Sequence, residues 1–142
     1  MPDREQPTEI LLVEDNLVDA RMIREALHLA EIRHRLSHVV DGEAALQFLR
    51  REPPHESAPR PGVVILDLRL PRVSGHEVLA AIRADQDLRL IPVLVLTTSA
   101  AQDDIARTYN LQADQFVTKP LGIKVLAGEL RIIEGLVQRS RK

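Results

Sequence analysis

The strongest constraint on the fold is the run Val63-Val64-Ile65-Leu66, which is continuously apolar, rich in β-branched residues and stops on Asp67. A strand wetted on one side alternates polar and apolar residues. Four apolar residues in a row require cover on both faces, as in a parallel sheet between two layers of helices. Pro71 and Gly75 break the backbone soon afterwards. In open α/β sheets the ligand crevice lies beyond the carboxyl ends of the strands, so Asp67 stands where such a fold carries its chemistry. A single strand-end aspartate is more often a simple turn cap, so its meaning depends on the rest of the chain.

The pattern recurs on both sides. After a polar, flexible lead-in over residues 1–8, Ile10 to Val13 reads as a buried strand that ends on Glu14-Asp15. Asn16 is a good N-cap for a helix whose apolar face holds Leu17, Ala20, Ile23, Leu27 and Ala30. Leu36 to Val40 carries polar Ser37 and His38, which predicts an exposed strand at the sheet edge. Asp41-Gly42 then turns into a helix carrying Ala45, Leu46, Phe48 and Leu49. Residues 52–62 hold Pro53, Pro54, Pro59, Pro61 and Gly62 and read as a surface loop.

Beyond Asp67, a helix with Val78, Leu79 and Ile82 leads to a fourth buried strand, Pro92 to Leu96, which ends on Thr97-Thr98-Ser99. A short helix follows over Asp104 to Leu111, with Ser99 and Gln102 spaced like a capping box. A fifth strand near Gln115 to Thr118 ends on Lys119-Pro120, and a last helix runs from about Gly122 to Gln138. Five alternations of strand and helix without a hairpin signal predict a doubly wound parallel α/β domain with five helices over residues 9–138. A short basic tail, residues 139–142, follows, and no output domain is expected.

Composition removes several functional classes. With 19 Lys+Arg against 21 Asp+Glu, nothing recommends a nucleic-acid partner, and 2% aromatic residues is too few for base-stacking platforms. Absence of cysteine excludes disulfides, thiolate metal sites and cysteine nucleophiles. No apolar signal core and no run long enough to span a bilayer is present, so a soluble cytoplasmic protein without membrane partners is expected. The five histidines (28, 34, 38, 55 and 76) lack zinc-ligand spacing and read as surface or packing residues. Phosphate-cradling Gly-rich motifs are missing too.

What remains is a constellation at one edge of the sheet: Glu14 and Asp15, Asp67, Thr97, and Lys119. Carboxylates brought together repel, and burying them unpaired costs several kcal/mol, roughly, so the arrangement calls for a cation. Mg²⁺ suits them, since it takes oxygen ligands, keeps several waters and needs only one or two carboxylates. With a hydroxyl from Thr97 and a point charge from Lys119, the set fits phosphoryl transfer to a carboxylate.

These residues, with Lys119-Pro120, in this order at strand ends, resemble the receiver domain of two-component response regulators over about residues 8–137. The resemblance implies a flavodoxin-like sheet of order 2-1-3-4-5. It implies that Asp67 accepts a phosphoryl group from a histidine kinase, and that Asp15, Asp67 and the backbone carbonyl of Arg69 ligate Mg²⁺, with Glu14 acting through a bound water. It further implies that Thr97, Thr98 and Lys119 contact the phosphate, that Thr97 and Phe116 form a coupled switch, and that the Lys119-Pro120 peptide is cis. Leu96-Thr97-Thr98-Ser99, together with the proline-rich loop, resembles stand-alone receivers that serve phytochrome-type kinases. Arg69 and Ser99 fall at variable positions that influence water attack on the acyl phosphate, which suggests that Arg69 slows its loss. Phe116 lacks the hydroxyl that many relatives carry as tyrosine.

Rival readings are a pseudo-receiver that is never phosphorylated and a haloacid-dehalogenase-type phosphatase. The phosphatase needs an acid two residues beyond its nucleophile, where this chain has Arg69, which is not a general acid. In the last helix, Val125, Ile132 and Leu136 lie about a quarter turn from the core stripe, so they mark either its broad margin or a homodimer interface.

Overall fold

The computed structural model describes residues 6–98, 102–119 and 122–140. Its strands are β1 (Thr8–Val13), β2 (His34–Val39), β3 (Val63–Leu66), β4 (Val93–Thr97) and β5 (Gln115–Thr118). They form one parallel sheet in the order β2-β1-β3-β4-β5. Between them run α1 (Leu17–Leu29), α2 (Gly42–Arg50), α3 (Gly75–Ala84) and α4 (Gln102–Asn110). The fifth helix is interrupted at Arg131 into α5 (Ile123–Leu130) and α6 (Ile132–Ser140). This is the expected flavodoxin-like arrangement, with the polar second strand at an edge as its Ser37 and His38 foretold.

Alternation along the strands sorts the core into two layers. Ile10 and Leu12, Val63 and Ile65, Leu94 and Leu96, and Val117 pack against α1, α5 and α6. Leu11 and Val13, Val64 and Leu66, and Val93 and Val95 pack against α2 and α3 on the opposite face. Every residue of β3 is buried, which is why its sequence shows no polar alternation.

Local chemistry fixes where the helices begin. Asn16 caps α1, its side-chain oxygen accepting from the N–H groups of Val18 and Asp19. Asp41 and Ser74 cap α2 and α3 in the same way, through the N–H groups of Ala44 and Glu77. Gly75 is required by a close approach, since a Cβ there would lie 2.2 Å from the Asp67 carbonyl oxygen and 2.5 Å from the Leu68 Cα.

Several boundaries differ from expectation, and so does one interface residue. β1 begins at Thr8, so the end of the lead-in belongs to the sheet, where the Thr8 N–H donates to the Arg33 carbonyl. β2 spans His34–Val39 and not Leu36 to Val40. α6 reaches Ser140, past the expected helix end. The interface expectation is corrected at Leu136, which is 2% exposed, while Ile132 is partly buried against the core and Val125 stands exposed. Leu136 lies three residues after buried Ile133, and helical spacing puts such neighbours on one face. The cap expected of Ser99 and the cis Lys119-Pro120 peptide lie outside the described residues.

Candidate functional site

The site forms where strand ladders run one residue past the strand ends. The Asp67 N–H donates to the Val13 carbonyl, the Glu14 N–H to that of Val39, and the Lys119 N–H to that of Thr97. Residues 53, 52 and 105 positions apart are thereby brought level along one edge. Continuing the strand alternation, Glu14, Asp67 and Lys119 fall on the α1/α5 side of the sheet. Thr97 falls on the other side, which it shares with Phe116.

Glu14, Asp15 and Asp67 each offer a carboxylate oxygen within 4.8 Å of the others. Glu14 and Asp67 are buried and Asp15 is exposed, so the cluster has a buried floor and one wet arm. All-oxygen donors with a solvent-facing side fit a hard divalent cation that retains waters. The Arg69 N–H lies 3.4 Å from Asp67 Oδ1, which folds the loop after β3 back over the acceptor.

Lys119 neutralises part of this charge. Its Nζ donates to Glu14 Oε1 at 2.7 Å and to Asp19 Oδ2 at 2.8 Å, and stands 3.7 Å from Asp67 Oδ2. Burial raises the Glu14 carboxyl to about 7, with the negative charge of Asp67 adding to the effect and the Lys119 hydrogen bond opposing it. For Lys119, burial works against the charge, but the bonds to Asp19 and Glu14 and the charge of Asp67 outweigh it and hold the ammonium above its ordinary range.

The structure brings Glu14, Asp15, Asp67 and Lys119 together as expected. Thr97 is fully buried at the end of β4, and Phe116 is half-buried against the core layer that α2 and α3 share. Thr98 is exposed and lines a small cavity next to Lys119. The Arg69 side chain reaches sideways, its Nη2 standing 3.4 Å from Asp104 Oδ2. Two participants escaped sequence reasoning. Asp19 was legible only as an acidic residue in the first turn of a helix, and nothing local announced a partner 100 residues away. His38, read as a surface or packing residue, places its Nε2 2.7 Å from the Glu14 carbonyl oxygen and thereby braces the strand end beneath the acids.

A five-stranded 2-1-3-4-5 sheet with an acidic pocket and a lysine at its carboxyl edge defines a receiver-type α/β domain. Residues 10–131 match the response regulator receiver domain family, and the chain belongs to it. Response regulator Rcp1 of Synechocystis sp. is 41% identical over 137 residues, covering 96% of this chain and 91% of Rcp1. The Mn(2+)-bound form of Rcp1 matches with a TM-score of 0.82 at 43% identity, over 91% of this chain and 93% of that one. The phosphorylated cyanobacterial phytochrome response regulator RcpA matches at 0.81 with 39% identity, over 96% of each chain. The receiver domain of sensor histidine kinase PA1611 from Pseudomonas aeruginosa, with magnesium coordinated in its active-site cleft, matches at 0.72 with 28% identity, over 94% of this chain and 99% of that one. The chain is thus a receiver of two-component phosphorelay signalling, and a divalent cation is its cofactor. Among the described residues no helix is long and apolar enough to cross a membrane.

Proposed function

We propose that Asp67 is the phosphoacceptor of a cytoplasmic signalling relay, receiving its phosphoryl group from the phosphohistidine of a histidine kinase. One Asp67 carboxylate oxygen attacks phosphorus in line. The phosphorus–nitrogen bond to the kinase imidazole breaks, and the departing nitrogen keeps the electron pair. Catalysis here is positioning and charge neutralisation. Lys119 supplies a fixed positive charge, and Thr97 and Thr98 offer hydroxyl donors. Asp15, Asp67 and the Arg69 carbonyl would hold Mg²⁺, with Glu14 reached through a water, and the bound ion would offset charge on the transferred group. Beyond this self-phosphorylation and its slow reversal by water, the chain is not an enzyme.

The observation that carries the reading is the burial of Asp67 among two further carboxylates and one ammonium. A pseudo-receiver needs none of these groups, and all of them are kept. Phosphorylation adds about −1.5 to −2 charge and three acceptor oxygens. The signal arises if the phosphate is bound better by one arrangement of Thr97 and Phe116 than by another. Their shared sheet face supports that coupling. Likeness to Rcp1 and RcpA supports a phytochrome-type kinase as the donor.

The test is transfer of labelled phosphate from a phosphorylated histidine kinase, with Mg²⁺ present. Label is expected on wild type and absent from Asp67→Asn. Retention of label in that variant refutes the assignment.

A further inference from the structure

We propose that Asp19 is a positioning residue that acts through Lys119: its carboxylate holds the lysine ammonium off Asp67 and competes for it with the incoming phosphoryl group. The inference rests on Asp67 being the phosphoacceptor and goes one step further, to what sets the ease of loading.

An ammonium has three donors in tetrahedral directions. Lys119 gives two of them to Glu14 and Asp19, at 2.7 and 2.8 Å, and at 3.7 Å its Nζ is beyond hydrogen-bond reach of Asp67. The lysine therefore rests against the counter-carboxylates and not against the acceptor. A phosphoryl group on Asp67 must draw it away from them.

Asp19 also has an ordinary role available, since an acidic residue in the first turn interacts favourably with a helix N-terminus. That role needs no tertiary partner. Here the side chain is only 25% exposed and commits Oδ2 to a lysine 100 residues away, just past the end of β5. Asn16 fixes its direction by capping the N–H groups of Val18 and Asp19, which makes the first turn of α1 a rigid mount. Unlike Glu14, Asp19 lies outside the three-carboxylate cluster, so it remains a partner for the lysine whichever way Glu14 is engaged. A cavity of about 70 Å³ bordered by Asp19, Thr98 and Lys119, and walled by Leu96 and Leu126, adjoins this ion pair.

Removing the Asp19 charge makes the pocket less negative and releases one hold on the lysine. Cation affinity must then fall while affinity for a phosphoryl-like anion rises, on the order of three- to tenfold each at this separation and partial exposure. A purely structural defect would weaken both. Isothermal titration calorimetry measures Mg²⁺ alone and then beryllofluoride at saturating Mg²⁺, on the full chain. Asp19→Asn and Asp19→Ser are expected to bind Mg²⁺ more weakly and beryllofluoride more tightly than wild type, and Asp19→Glu to restore wild-type behaviour in both. Affinities that move together, or do not move, overturn the proposal. Asp67→Asn separates the two readings: if it still binds beryllofluoride, the phosphoacceptor assignment fails, whatever the Asp19 variants do.

Discussion

Glu14 offers the sharpest quantitative test, because its carboxyl is buried in an acidic pocket and raised to about 7 from an ordinary 4.5. The unfolded chain releases this proton near 4.5 and the native state keeps it until about 7. Between those values the native state binds more protons, so metal-free stability falls as pH rises through the window. Glu14 contributes fully below the lower value, and its contribution is lost above the upper one. At about 1.4 kcal/mol per pH unit, the whole window is worth about 3 kcal/mol. Glu14→Gln resembles the protonated acid and still offers Lys119 an oxygen. It loses the acceptor facing the Asn16 N–H, which stands 3.3 Å from Oε2, a penalty of about 1 kcal/mol. In a metal chelator at pH 8, Glu14→Gln should therefore be more stable than wild type by about 2 kcal/mol, or roughly 4–8 °C in Tm for a chain of this size. Near pH 4.5 that advantage should reverse, leaving the variant less stable by up to about 1 kcal/mol, and saturating Mg²⁺, which needs the ionised acid, should cancel the advantage at pH 8. Thermal unfolding followed by circular dichroism from pH 4.5 to 8 reads all three conditions. A variant less stable than wild type at pH 8, or a difference that does not change with pH, would refute the reasoning.

Three further outcomes are expected. Gly75→Ala should lose about 2–4 kcal/mol in urea titration, because the new Cβ meets backbone at Asp67 and Leu68 and the loop bearing the acceptor must move; a loss under 1 kcal/mol contradicts the close approach. Arg83→Lys should cost about 1–3 kcal/mol by the same assay, since its guanidinium serves the carbonyls of Arg89, Ile91 and Gln112 and the Asp114 carboxylate at once, a fork one ammonium does not reproduce. Arg69→Ala should shorten the half-life of phosphorylated Asp67, measured by loss of label at fixed Mg²⁺. An unchanged half-life would mean that the guanidinium, which sits toward Asp104 in the free protein, never reaches the phosphate.

The fold was readable wherever burial is two-sided. β3 and β4 declare themselves as unbroken apolar runs, and β2 as the strand that admits Ser37 and His38, so parallel pairing and the edge position of β2 follow from pattern, whereas the order of the strands came from the resemblance to receivers. Helix starts at Asn16 and Asp41 were equally legible, because a cap is a bond between residues two or three apart. The interruption at Arg131 and the burial of Leu136 were not. Periodicity assumes one straight helix and does not set the width of the face that the sheet covers.

The candidate site divides along the same line. Glu14, Asp15, Asp67, Thr97 and Lys119 could be picked from the sequence because each ends a strand, and parallel strands align their ends. Which carboxylate the lysine holds is set by sub-ångström differences between segments far apart in the chain. Asp19 at 2.8 Å, Asp67 at 3.7 Å and the His38 brace under Glu14 are therefore products of packing. Spacing along a chain encodes local bonds and shared faces, whereas the distances that govern electrostatics exist only once the layers have closed around the sheet.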